Sequence, residues 1–136
     1  MIALFFSALL FCFGCDPYNL VMSSAKLDKD KIVFSSEAST ESVKSKNLSV
    51  RIYGFYLSDS DWDMNWDDRR GEDVEEDEYG VVEMAYDWVT ARMDDNYNCR
   101  VTVKENDTGE DRYVILSLMP GLDYGGARLK IVQKAK

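Results

Sequence analysis

Two tryptophans set among carboxylates are the residues of this chain best suited to chemistry. Trp62 and Trp66 stand with Asp61, Asp63, Asn65, Asp67 and Asp68 in one short stretch. Pyranose C–H faces pack on flat rings while sugar hydroxyls donate to oxygen acceptors, so Trp62, Trp66 and Asp63 are candidates for a glycan-binding surface. The alternative is that the two rings fold back and cap an open end of the fold as core residues. Asp61, Asp63, Asn65 and Glu72 occupy the first, third, fifth and twelfth places of an EF-hand-like calcium loop. Trp66 takes the sixth place, where the sharp turn needs glycine, and no helices flank the loop. An EF-hand proper is therefore not expected, and a looser calcium site that neutralises the loop is the cofactor this pattern allows.

These residues lie in a segment, 58–79, with eleven acidic side chains against Arg69 and Arg70, and its net charge of −9 equals the −9 of the whole 136-residue chain. The remainder is electrically balanced. A run this acidic reads as a solvated, mobile loop inserted into the fold. The chain has no histidine, which removes the usual general base, the commonest metal ligand and every Ser/His or Cys/His pairing. A surplus of acids on a loop does not supply the fixed carboxylate pair that glycoside hydrolysis needs, and no phosphate-binding glycine loop or nucleophile elbow is present. No enzyme is expected. The acidic balance also repels phosphate backbones, so nucleic acid is not an expected partner.

Residues 1–14 carry no charged side chain and form an apolar run ended by Cys15. A run of this length is shorter than the roughly 20 residues a bilayer requires and shows no polar face, which fits the apolar region of a secretory signal. The segment Leu10-Phe11-Cys12-Phe13-Gly14-Cys15 resembles a bacterial lipobox, in which a small residue precedes the cysteine that is lipidated; Phe13 and Cys12 depart from the small or aliphatic residues usual there. The resemblance implies export through the inner membrane and anchoring in the cell envelope through acyl chains on Cys15. Cleavage then removes Cys12 and acylation occupies Cys15, leaving Cys99 without a disulfide partner and expected as a small buried hydrophobe. Residues 15–26 read as a tether to a domain over 27–136.

Within that domain apolar alternation of period two dominates, and no stretch carries a helical period. Strands are expected over 31–35, 40–46, 48–57, 81–84, 88–92, 100–105, 112–118 and 127–133, separated by turns. Arg100-Val101-Thr102-Val103-Lys104 and Arg128-Leu129-Lys130-Ile131 each place apolar residues on one face and polar residues on the other. Asn106-Asp107-Thr108-Gly109 reads as a hairpin turn with a bulge. Trp88 fits a core tryptophan. Several short strands at such spacing predict an all-β sandwich.

Phe34-Ser35, Asn47, Trp88-Val89-Thr90, Val101-Thr102-Val103, Asn106-Asp107-Thr108-Gly109, Arg112 and Leu129-Lys130-Ile131-Val132-Gln133, in that order, resemble a BACON domain, the Bacteroidetes-associated carbohydrate-binding often N-terminal module. The likeness spans roughly 27–135 apart from the acidic insertion. It is weakest in the first half, where Leu48 to Tyr56 and a long polar loop replace an expected tryptophan. It implies an immunoglobulin-like β-sandwich of about seven to eight strands on a secreted or surface protein. The expected product is a non-enzymatic envelope lipoprotein, on the outer membrane or cell surface, that contacts glycan or mucin through an aromatic, acidic loop. The other expectation is a spacer or protein-contact module of a surface assembly that binds no sugar.

Overall fold

The computed structural model describes residues 24–58, 69–121 and 125–136. The signal and lipidation expectations, Cys15 included, lie outside the described residues, as do Trp62, Trp66, Asp61, Asp63 and Asn65. The chain is all-β: β1 (Lys31–Phe34), β2 (Ser39–Lys44), β3 (Arg51–Tyr56), β4 (Glu72–Asp77), β5 (Gly80–Tyr86), β6 (Val89–Met93), β7 (Asn98–Val103), β8 (Arg112–Met119) and β9 (Ala127–Gln133). Among the described residues no helix is long and apolar enough to cross a membrane.

The strands join in one sheet of order β1-β9-β8-β3-β5-β6-β7-β2, with β4 added on β5, and the sheet curls nearly into a barrel. All pairings are antiparallel except β1 with β9, which is parallel. The link between β3 and β5 is a single pair, Ile52 with Val81. It hinges two lobes, β1-β9-β8-β3 and β4-β5-β6-β7-β2, whose inner faces share one core. Ile32, Phe55, Met84, Val101, Leu116, Leu129 and Ile131 are almost wholly buried there, the outcome period-two patterning dictates when only one face of a strand meets its partner sheet.

Eight of the strands fall where the sequence places them. The ninth, β4, overturns the reading of the acidic segment as loop throughout: Glu72–Asp77 pairs along β5 although every one of its residues is exposed. Its apolar partner β5 supplies the buried face, and β4 contributes backbone hydrogen bonds.

The Asn106 turn is also not a hairpin, because β7 pairs with β6 and β2 whereas β8 pairs with β3 and β9. It carries the chain from one lobe to the other. Asn106 is fully buried; its Nδ2 donates to the carbonyls of Glu110 and Lys134 at 2.8 and 3.1 Å, and its Oδ1 accepts from the Thr108 hydroxyl at 2.7 Å. Those bonds satisfy backbone that a buried crossing would otherwise leave unpaired.

Trp88 is buried in the core as expected, in the turn between β5 and β6, with the Arg112 guanidinium 4.6 Å from its ring centre. Cys99 is fully buried, and burial pushes its thiol up to about 12, so it behaves as a packed hydrophobe. The domain's contacts begin ahead of residue 27. Ala25 is buried and donates its N–H to the Gly125 carbonyl at 2.9 Å, and Asn47 binds the backbone of both Ser24 and Lys26.

Candidate functional site

The two lobes meet at the β3–β5 link, and outside that link lies a groove of about 530 Å³, within the range of small-ligand sites. Arg51 and Tyr53 of β3, Arg69, Asp73 and Glu76 of the acidic segment, and Tyr79 at the β4–β5 turn line it, and Met119 to Gly121 close one end.

Local sequence explains each placement. The pair Asp77 and Gly80 closes a two-residue hairpin. Gly80 takes φ +137, a conformation glycine adopts without strain. The Asp77 carboxylate accepts from the N–H groups of Tyr79 and Gly80 at 2.8 and 3.1 Å, a side-chain turn of the kind aspartate favours. Tyr79 is thereby held at the tip with 74% of its surface exposed. On β3 the register against β8 shifts between Ile52 and Gly54, so Tyr53 is the extra residue of a bulge, a device that re-aims a side chain. Gly54 lets Arg69 cross the outside of the strand, since a Cβ there would come within 2.6 Å of Arg69 Cγ.

The electrostatics repeat one motif twice. Arg51 grips Asp77 with two bonds, Nε to Oδ1 at 3.2 Å and Nη2 to Oδ2 at 2.8 Å, and lies 5.7 Å from the centre of the Tyr79 ring. Arg69 donates to Asp73 at 3.0 Å and to the Tyr53 carbonyl, and lies 5.7 Å from the centre of the Tyr53 ring. Each tyrosine thus rests against a guanidinium that an aspartate holds in place, which fixes the rings by cation–π contact. The Arg51 hydrogen bond, aided by the two turn N–H groups, keeps the Asp77 carboxyl below its ordinary range. Behind Tyr53, the stacked Tyr56 is pushed up to about 12, chiefly by burial and then by the neighbouring Tyr53. Tyr56 therefore stays neutral at physiological pH.

Rings, carboxylates and hydroxyls around an open groove can hold a polyhydroxylated ligand by stacking and hydrogen bonds. Of the glycan and calcium candidates singled out from sequence, Glu72 alone is described. It opens β4, exposed, opposite Ala85, and is not among the residues lining the groove. Among the described residues no group of three or more acidic or thiol side chains could hold a metal ion. The sequence reading passed over Tyr53 and Tyr79. A signal for Tyr79 was present in Asp77-Glu78-Tyr79-Gly80, a tight-turn pattern that puts an aromatic ring at an exposed tip. Tyr53 carried none, because its orientation depends on a bulge.

No protein-family model matches the chain, and no curated protein matches it. An NMR structure of a protein from Bacteroides thetaiotaomicron shares the fold, with a TM-score of 0.58 at 19% identity over 89% of this chain and 94% of that one. An endo-fucoidan hydrolase of glycoside hydrolase family 107 aligns with a TM-score of 0.48 at 10% identity, over 85% of this chain and 14% of the hydrolase.

Proposed function

We propose that this chain is a non-enzymatic glycan-binding module of the cell envelope, anchored by lipid on Cys15 and built as a BACON-like immunoglobulin-like sandwich. The observation that carries the binding reading is the groove itself, where Tyr53 and the exposed Tyr79 are each ordered by an arginine–aspartate pair beside the carboxylate of Glu76, which has no cationic partner among the described residues. Four of its members, Arg69, Asp73, Glu76 and Tyr79, come from the acidic segment in which the sequence analysis expected an aromatic, acidic site. Trp62 and Trp66 belong to the same segment by sequence and stay candidates for stacking, outside the described residues. Strand order supports the finer fold assignment: β2-β7-β6 in one lobe and β9-β8-β3 in the other follow the B-E-D and G-F-C neighbours of immunoglobulin-like sandwiches.

The test is a binding screen of the full-length chain, in mild detergent, against mucin glycans and plant polysaccharides, with calcium and with chelator. Retention on a glycan, abolished by Tyr79→Ala with no change in melting temperature, is the expected result. Loss of retention under chelator adds calcium to the site. Release of a Cys15→Ala variant from the membrane fraction tests the anchor.

A folded sample that binds nothing in the screen would favour the spacer or protein-contact reading. One observation speaks for that reading. Among the described residues β4 pairs with β5 alone, so its acidic outer edge is available to another chain.

A further inference from the structure

Resting on the glycan reading, we infer that the groove selects uncharged sugars and rejects sulfated or carboxylated ones. The two cations that line it are already committed. Besides its two bonds to Asp77, Arg51 donates Nη2 to Asn96 at 2.9 Å and Nη1 to the Val50 carbonyl at 2.8 Å, so all three of its nitrogens are engaged. Its side chain is 11% exposed. Asp77 cannot be traded for a ligand anion cheaply, because the same carboxylate also holds the Tyr79 turn through two N–H groups. Freeing Arg51 would undo the hairpin that presents the ring. Arg69 is held along its Nε–Nη2 edge by the Tyr53 carbonyl and Asp73, with its side chain 30% exposed.

Charge at the groove then runs against anions. The guanidiniums of Arg51 and Arg69 face the carboxylates of Asp73, Glu76 and Asp77, and among the described residues Glu76 has no cationic partner. The surroundings reinforce this. Behind the hairpin, Arg92 is shared between Glu75 at 2.8 Å and Glu83 at 2.5 Å, and Asp95 lines the same depression as Arg51 and Asp77, beside an Asp94 that Arg100 pairs at 2.8 Å. An anionic polymer approaching Tyr79 therefore meets uncompensated negative charge at close range and a repulsive field at longer range. A neutral pyranose meets neither, while the Tyr79 ring and the acceptors of Glu76 remain available to its C–H face and hydroxyls. Discrimination of this kind works by penalising the wrong ligand rather than by adding contacts to the right one.

The experiment sets pairs of polysaccharides with one backbone, the first neutral and the second its sulfated or carboxymethylated derivative, against the full-length chain in affinity electrophoresis and calorimetry. The expected result is retention by the neutral member and at least about tenfold weaker binding of its charged partner at low salt. That gap narrows as salt rises and narrows again in Glu76→Gln, while Tyr79→Ala loses binding of both members. Equal or tighter binding of the charged member overturns the selectivity and leaves glycan binding standing. Retention by no member of any pair overturns the glycan reading, and the selectivity with it.

Discussion

β7 and β8 follow one another along the chain and end up in opposite surroundings. In β7 the residues alternate cleanly, with Cys99, Val101 and Val103 buried while Arg100 and Thr102 meet solvent. In β8 five consecutive residues, Val114 to Leu118, are buried. The inner faces of the two strands do the same work in one core. The outer faces differ because β7 presents its outer side to water, whereas Ile115 and Ser117 pair with Tyr56 and Gly54 of β3, across which Arg69 is laid. The described chain of the acidic segment returns along β3, where Arg70 bridges Phe55 and Arg69 lies against Gly54, the partner of Ser117, and that same return builds one wall of the groove. Extra cover and a candidate binding surface have a common structural origin.

The comparison breaks most severely at the inner face. Phe55, fully buried opposite Leu116, should cost about 3–5 kcal/mol when cut to alanine, seen as a large drop in the urea midpoint. Gly54→Ala pushes a methyl into Arg69 and should cost about 1–3 kcal/mol, together with loosening of Tyr53. The matching change on the wet side, Thr102→Ala, should stay within about 0.5 kcal/mol. If both outer faces respond alike, the covering of β8 is not what distinguishes the strands.

A finer test uses Ser117, whose buried hydroxyl has no hydrogen-bond partner among the described residues. Removing it in Ser117→Ala should raise stability by roughly 1 kcal/mol, because an unsatisfied buried hydroxyl is a net cost. Destabilisation would show that the hydroxyl is satisfied in solution.

The smallest effect is in pH. Asp77 is held below its ordinary value mainly by Arg51, so the stability it contributes is complete above its unfolded-state value and is lost as pH falls through the lower folded value. Asp77→Asn should flatten part of the acid limb of the melting curve below about pH 4. Asp95 and Asp111, which backbone N–H groups hold low in the same direction, keep the remainder. An unchanged acid limb in the variant would mean that the hairpin contact contributes nothing to folding.

The same contrast explains what could be read from sequence. Period two exposed β7 and β9 because one face is wet, and it located β8 by its sheer apolar density. It could not find β4. Glu72-Asp73-Val74-Glu75-Glu76-Asp77 buries no face, so nothing in its side chains encodes a strand, and its pairing is a property of β5 beside it. The Asn106-to-Gly109 turn was legible as a turn, but whether a turn joins neighbouring strands or crosses between lobes is decided by distant pairing, which local turn chemistry does not carry. The groove was half legible for the same reason. Its carboxylates stood out as composition, while the rings depend on a bulge at Tyr53 and on arginines drawn from two separate elements.

The parallel pairing of β1 with β9 has a mechanical consequence. Lys31 at the start of β1 lies beside Lys130, and Phe34 at its end lies beside Gln133 at the end of β9. Tension applied through the chain ahead of β1 and the chain after β9 therefore pulls the two strands along their length in opposite senses. Their hydrogen bonds, evenly spaced and slanted between the strands, are loaded together in shear and cannot open one at a time like a zip. A fold closed in this way resists extension applied between its first and last strands.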